Sequence, residues 1–187
     1  MPKIAIVYFS GYGHTAKQAE AVAKGAGPDA QLIAIDKDGN VDEASWAKLN
    51  AAKAIIFGSP TYMGGPAWQF KKFADASSKV WMTGQWKDKI AAGFTNSASP
   101  NGDKFATLSY FITLSMQHGM AWVGTGMMPS SNKSALRTDL NWLGGFSGAL
   151  AQSPADASTE EAPLPGDLET AKAFGARVLA FTAKLKD

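Results

Sequence analysis

Five short apolar runs, at residues 3–9, 31–35, 53–58, 89–95 and 120–124, are separated by stretches of helical composition at 15–24, 41–50, 68–76 and 104–117, and a last helical stretch covers 167–184. Strands that alternate with helices pair in parallel, because each helix returns the chain to the same end of the sheet, and a parallel sheet is buried on both faces by those helices. The pattern predicts a flavodoxin-like α/β fold: a five-stranded parallel sheet in the order 2-1-3-4-5, with helices on both faces and any ligand at the carboxyl ends of the strands. The 187 residues suffice for one such domain, residues 1–187, and not for a dinucleotide domain beside a separate substrate domain.

The first strand runs into Ser10-Gly11-Tyr12-Gly13-His14-Thr15 and then into an alanine-rich helix. Gly11 and Gly13 permit a tight turn with its N–H groups aimed inward, the helix adds the positive end of its dipole, and Ser10 and Thr15 add hydroxyls, so the loop suits a phosphate. Three loop types share these features. A Walker A loop ends in Gly-Lys-Ser/Thr, whereas His14 follows Gly13 here, which disfavours triphosphate hydrolysis. Gly11, Gly13 and Ala16 satisfy G-x-G-x-x-A, with Asp36 near the place of a ribose-binding acid. The third type is a flavodoxin-like loop whose hydroxyls wrap a terminal phosphate monoester. This segment alone leaves the last two open.

Composition narrows the chemistry. The chain has no cysteine, which removes thiol catalysis, disulfides, iron–sulfur ligation and thiolate zinc sites, so redox work needs a bound organic cofactor or a non-sulfur metal site. The two histidines, His14 and His118, lie far apart without a carboxylate cluster, which argues against a metal centre. A formal charge of +2 with scattered lysines leaves no footprint for nucleic acid. No apolar stretch approaches the roughly 20 residues of a membrane span and no signal-type segment precedes the first strand, so the expectation is a soluble, cytoplasmic protein.

In the expected fold, the loops after the first, third and fourth strands meet at one edge of the sheet. After the third come Ser59-Pro60-Thr61-Tyr62-Met63-Gly64-Gly65-Pro66, stiffened by two prolines and carrying Tyr62 and Met63 that can pack on an aromatic plane. After the fourth, residues 95–103 are small and polar, rich in hydroxyls, amides and accessible N–H groups. Each loop alone reads as an ordinary turn. Together, a phosphate monoester at the first and a flat polar heterocycle between the others describe flavin mononucleotide (FMN). Residues 125–166 dissolve into Gly, Ser, Pro and Asn, and an ordered loop of that length caps a site or an interface. For 153–165 a mobile surface excursion is the alternative.

On Ser10 to Thr15, Gly58-Ser59-Pro60-Thr61-Tyr62-Met63-Gly64, Val80-Trp81-Met82-Thr83-Gly84, the 94–102 loop, Gln117-His118-Gly119-Met120 and the glycines around 144–148, the chain resembles the WrbA-like NAD(P)H:quinone oxidoreductases of the flavodoxin-like family over nearly its whole length. The resemblance implies FMN as cofactor, NAD(P)H as co-substrate and a quinone as acceptor. It implies that Ser10, Tyr12, Gly13, His14 and Thr15 hold the phosphate, that Pro60, Thr61, Tyr62, Met63 and Gly64 line the ring, and that Thr95, Asn96, Ser97, Ala98, Ser99, Gly102 and Asp103 hold its other edge and the ribityl chain. It also implies that His118 faces the flavin as the catalytic histidine and that Trp81 reaches the flavin of a neighbouring subunit in a homo-oligomer, dimer or tetramer.

Two features depart from that pattern. Tyr62-Met63 stands where such proteins often carry Arg-Phe, which removes a cation and leaves the choice between NADH and NADPH open. The connection from Asp36 to Ala44 is much shorter than is usual there, which weakens the tetramer expectation. A helix-terminal histidine that complements the dipole is the other reading of His118, and a turn or helix cap the other reading of Asp36. A flavodoxin-type electron carrier is the alternative function, although such carriers commonly present a strongly acidic surface and this chain does not.

Overall fold

In a computed structural model, which describes residues 4–185, the apolar runs form parallel strands and the stretches between them form helices. The strand β1 (Ile4–Tyr8) leads through the glycine loop into α1 (His14–Ala26), followed by β2 (Ala30–Ala34), α2 (Glu43–Ala51) and β3 (Ala54–Tyr62). A two-residue β4 (Gly65–Pro66) folds back on β3 before α3 (Trp68–Ala76), the short α4 (Ser78–Trp81), β5 (Ile90–Ser97) and α5 (Lys104–Gln117). The chain ends with β6 (Ala121–Trp122), β7 (Ala149–Gln152) and α6 (Pro165–Thr182). The sheet order β2-β1-β3-β5-β6 is the expected 2-1-3-4-5 connectivity once the small antiparallel β4 is set aside.

The fifth position departs from expectation, and the sheet has seven strands rather than five. Only Ala121 and Trp122 pair with the start of β5, at Ile90 and Ala91, while Ala149 to Gln152 pair with its end, from Phe94 to Ser97. Residues 123–148 therefore leave and re-enter between two halves of one edge strand. The second half is four residues long and follows a glycine-rich run, too little alternation to register as a strand.

Period-2 alternation divides the core. On one face, Val7, Ile33, Ile55, Phe57 and Ala91 meet α2, α3 and α5 through Trp46, Leu49, Phe70, Phe73, Leu108 and Phe111. On the other, Ile4, Ile6, Ile56, Ala92 and Phe94 meet α1 and α6 through Ala19, Val22, Ala171, Phe174 and Val178. The helices α1 and α6 cross so closely that a Cβ at Gly25 would overlap the carbonyl of Lys172, and one at Gly175 the carbonyl of Val22. This contact fastens the last turns of α1 to α6 on one face of the sheet. No helix among the described residues is long and apolar enough to cross a membrane.

Candidate functional site

At the carboxyl end of β1 the chain turns at Gly13, φ 91°, into α1. The Ser10 hydroxyl sits inside this turn and accepts from the N–H groups of Gly13 and Ala16, both at 3.1 Å. No protein acceptor meets the N–H groups of His14 and Thr15 among the described residues, and the hydroxyl of the buried Thr15 is likewise uncommitted. Free donors at a helix N-terminus make a cradle for an oxyanion, so the residues present fit a phosphate monoester. The carboxylate of Asp36 is spent elsewhere: it accepts from the N–H groups of Asp38 and Asn40 at 2.9 and 2.8 Å, closing the turn after β2. Those backbone bonds, that of Asn40 foremost, hold its carboxyl below the usual range. It is a turn closure, and the dinucleotide pattern lacks its ribose-binding acid.

The second loop is held from beneath. The Thr61 hydroxyl is hydrogen-bonded to those of Thr95 (2.9 Å) and Thr107 (2.8 Å), a buried triad that ties β3, β5 and α5 together. Thr95 is thereby turned away from the cleft. Met63 and Gly64, φ 47° and 78°, form the two-residue turn between β3 and β4, with both residues in the left-handed region as such hairpins require. Met63 is fully exposed at the tip, so Met63 and Gly64 stand at the rim while Pro60, Thr61 and Tyr62 line the cleft. The Tyr62 hydroxyl comes within 2.6 Å of the place a Cβ on Gly11 would occupy, and its ring meets Tyr12 edge-on at 6.2 Å.

From the third loop, Asn96, Ser97 and Ala98 line the cleft. Ser99, Gly102 and Asp103 shape it from outside: the Ser97 hydroxyl donates to the Ser99 carbonyl at 3.2 Å, and Gly102 and Asp103 reverse the chain with φ 52° and 50°. The Gln152 side-chain amide secures the Ala98 carbonyl at 3.0 Å.

A fourth wall comes from the 125–166 stretch, the capping role its length predicts if it is ordered. Past β7, the Ser153 N–H donates to the Ser97 carbonyl at 3.0 Å and its hydroxyl to Asn96 Oδ1 at 3.1 Å. Pro154, Ala155, Ala157, Ser158 and Thr159 then fold over the phosphate loop, with the Thr159 methyl 2.6 Å from where a Gly13 Cβ would lie. The 153–159 segment is thus a wall of the cleft. Its signals in the sequence are the length of the irregular 125–166 stretch and the Ser, Pro and Thr that directly follow a strand end. The space is about 530 Å³, a small-molecule size, and among the described residues no Asp, Glu, Lys or Arg lines it.

His118 and Trp81 lie elsewhere in the chain. The helix α5 starts beside the third loop and is 14 residues long, so His118, its C-cap, is displaced by about 21 Å along the axis, next to the amino end of β5. The Ser77 hydroxyl donates to the Ala74 carbonyl and so accepts from His118 Nε2 at 2.9 Å, which leaves Nδ1 of the neutral ring buried without a partner among the described residues. The imidazole packs 4.4 Å from the Trp86 ring, and burial lowers its pKa. Trp81 donates to the Gln117 carbonyl at 2.9 Å. Both side chains line a second cleft of about 270 Å³ with Lys71, Asp75, Ser77 and Tyr110. Within one chain neither reaches the phosphate loop.

Residues 13–135 match the family described as NADPH-dependent FMN reductase. Flavodoxin FldP of Pseudomonas aeruginosa is 53% identical over 178 residues, which cover 95% of each chain. A crystal structure of a flavodoxin, WrbA-like protein from Agrobacterium tumefaciens superposes with a TM-score of 0.82 at 49% identity over 100% of both chains. A protein named NAD(P)H dehydrogenase (quinone) from Trichlorobacter lovleyi is 32% identical over 207 aligned positions and 99% of each chain.

Proposed function

We propose a function for a chain that belongs to the NADPH-dependent FMN reductase family, among its WrbA-like proteins of flavodoxin fold: an FMN-dependent oxidoreductase that carries two electrons from NAD(P)H to quinones. The observation that carries it is a single cleft with uncommitted phosphate donors at one end, in His14 and Thr15, and a slot between Pro60 to Tyr62 and Asn96 to Ala98 at the other.

Bound FMN would supply the reversible two-electron chemistry, and the protein binds, orients and shields it. In this reading the first turn of α1 and the Thr15 hydroxyl hold the phosphate, with Ser10 keeping the loop in shape. Tyr62 and Pro60 support one side of the ring. The backbone and side chains of Asn96 and Ser97 meet its polar edge, where fixed donors favour negative charge on the reduced ring. The rim of Tyr12, Tyr62 and Met63 is open to solvent, which leaves room for a nicotinamide and then a quinone to occupy the same face in turn. The whole chain, 1–187, acts as one FMN-binding domain in the cytoplasm, where NAD(P)H is supplied.

A flavodoxin-type electron carrier is the second reading. It is favoured by the 53% identity to a protein named flavodoxin and by the distance of His118 and Trp81 from the cleft of their own chain. NAD(P)H oxidation by the FMN-loaded protein, with and without benzoquinone, separates the two. Rapid quinone-dependent turnover supports the enzyme, whereas no direct reaction with NAD(P)H supports the carrier.

A further inference from the structure

Lys104, the first residue of α5, is 1% exposed, and its side chain turns back under the loop that precedes it. The ammonium donates to the carbonyl oxygens of Ser99 at 2.5 Å and Pro100 at 3.0 Å, so the 97–103 loop is wrapped around this one group. No carboxylate pairs with it among the described residues. Asp167 at the start of α6, the carboxylate whose charge acts on Lys104, gives one oxygen each to the two terminal nitrogens of Arg137, both at 2.7 Å, and accepts from the Gln152 N–H as well.

A buried ammonium satisfied by two neutral carbonyls is unfavourable, and its place at a helix N-terminus adds the repulsion of the dipole. A neutral side chain would hold the same loop at lower cost. The charge of Asp167 is largely taken up by Arg137, so an anionic ligand would complete the balance, and among the described residues the cleft in front of the loop is lined by dipoles alone.

We propose that Lys104 is the fixed positive charge behind the cleft, which positions the 97–103 loop and sets both the affinity for FMN and the ease with which the bound cofactor is reduced. This rests on the reading of the cleft as an FMN site. Burial brings the free-protein pKa of Lys104 down to about 8, with Asp167 raising it and Arg137 lowering it in smaller measure. An anionic ligand favours the ammonium, so FMN binding raises that pKa and takes up a proton above pH 8. Affinity then falls as the pH rises through that free-protein value, by about twofold between pH 7 and 8 and further above it. The phosphate monoester, with its second pKa near 6, is fully charged throughout this window.

The test is FMN titration of the wild type, Lys104→Gln and Lys104→Met at pH 7, 8 and 9, with circular dichroism to verify the fold and the midpoint potential of bound FMN at pH 7. Gln keeps donors for the two carbonyls without the charge. The expected result is roughly tenfold weaker binding by both variants at pH 7, the equivalent of one pKa unit, with no dependence on pH. The wild type should come within about twofold of them at pH 9, and the variants should show a more negative midpoint potential. A Gln variant that matches the wild type in affinity and pH profile overturns the proposal even if the Met variant fails to fold. A wild type that binds FMN with a level profile to pH 9 overturns it while leaving the cofactor reading intact. A wild type that binds no FMN overturns both.

Discussion

His14 Nε2 lies 3.0 Å from the carbonyl oxygen of Ala157, so the first turn of α1 and the segment after β7 are joined across the mouth of the phosphate loop. With the proton on Nε2 this is a latch that a bound phosphate lies beneath. His14→Ala is expected to speed FMN release about fivefold, the loss of one hydrogen bond worth ~1 kcal/mol, with little change in the association rate. Stopped-flow dilution of the loaded protein reads both rates. An unchanged release rate would show that the 153–159 segment opens independently of His14.

Ser10 and Thr15 should separate on mutation although both are hydroxyls of one loop. Thr15 has no protein partner, so Thr15→Ala removes a donor from the phosphate alone and should weaken FMN binding by about 1.5–3 kcal/mol, tenfold or more, without changing apo-protein stability. Ser10 accepts from Gly13 and Ala16, so Ser10→Ala should destabilise the apo-protein as well, by about 1 kcal/mol. Calorimetric titration beside thermal unfolding distinguishes them, and identical behaviour of the two variants would contradict the assigned bonding.

The difference between Ser10 and Thr15 shows where sequence reading stops. Apolar periodicity located each central strand within a few residues, because burial on both faces forces a continuous run such as Ala54 to Phe57. Residue types and strand ends also located the three loops, because each alone is an ordinary turn but the parallel order brings all three to one edge of the sheet. The direction of a hydroxyl is set by tertiary packing, so Thr95 turns down to Thr61 while Ser97 faces the cleft. The wall at 153–159 was ambiguous because it draws its order from Asn96, Ser97 and His14, far away in sequence. The split edge strand was hidden by its brevity.

Arg137 belongs to the segment that divides that edge strand, and its bidentate pair with Asp167 fastens the segment to the start of α6. The two side chains are 21% and 3% exposed, so Arg137→Ala would strand a buried carboxylate. The expected loss is about 3 kcal/mol, within the range for breaking a buried pair, seen as a lower urea midpoint. A loss below about 1 kcal/mol would place the pair among surface contacts.

His118 gives stability a dependence on pH. Burial against Trp86 lowers its pKa below the ordinary 6.5, so between that value and the folded-state pKa the unfolded chain binds a proton that the folded chain refuses. Stability from this residue is complete above about pH 6.5 and is lost as the pH falls toward the folded-state pKa. Urea midpoints at pH 7 and 5.5 should differ more for the wild type than for His118→Gln. Equal differences would mean that the imidazole is solvated in both states.

Trp81 is 48% exposed and shares the second cleft with His118, a helix length away from the third loop. For either residue to act on a flavin, it must act on that of another chain, and exposed aromatics of this kind are favoured at interface centres. In a symmetric assembly each chain would offer this cleft and receive one in return. The expected outcome is that the wild type sediments as a homo-oligomer at micromolar concentration, and that Trp81→Ala lowers quinone turnover severalfold while the FMN affinity of the variant, set by its own phosphate loop, is unchanged. If FMN affinity falls together with turnover, Trp81 acts through the fold of its own chain. A monomer with full activity would refute the shared site, because one chain holds the two residues and the cofactor loops at opposite ends of α5.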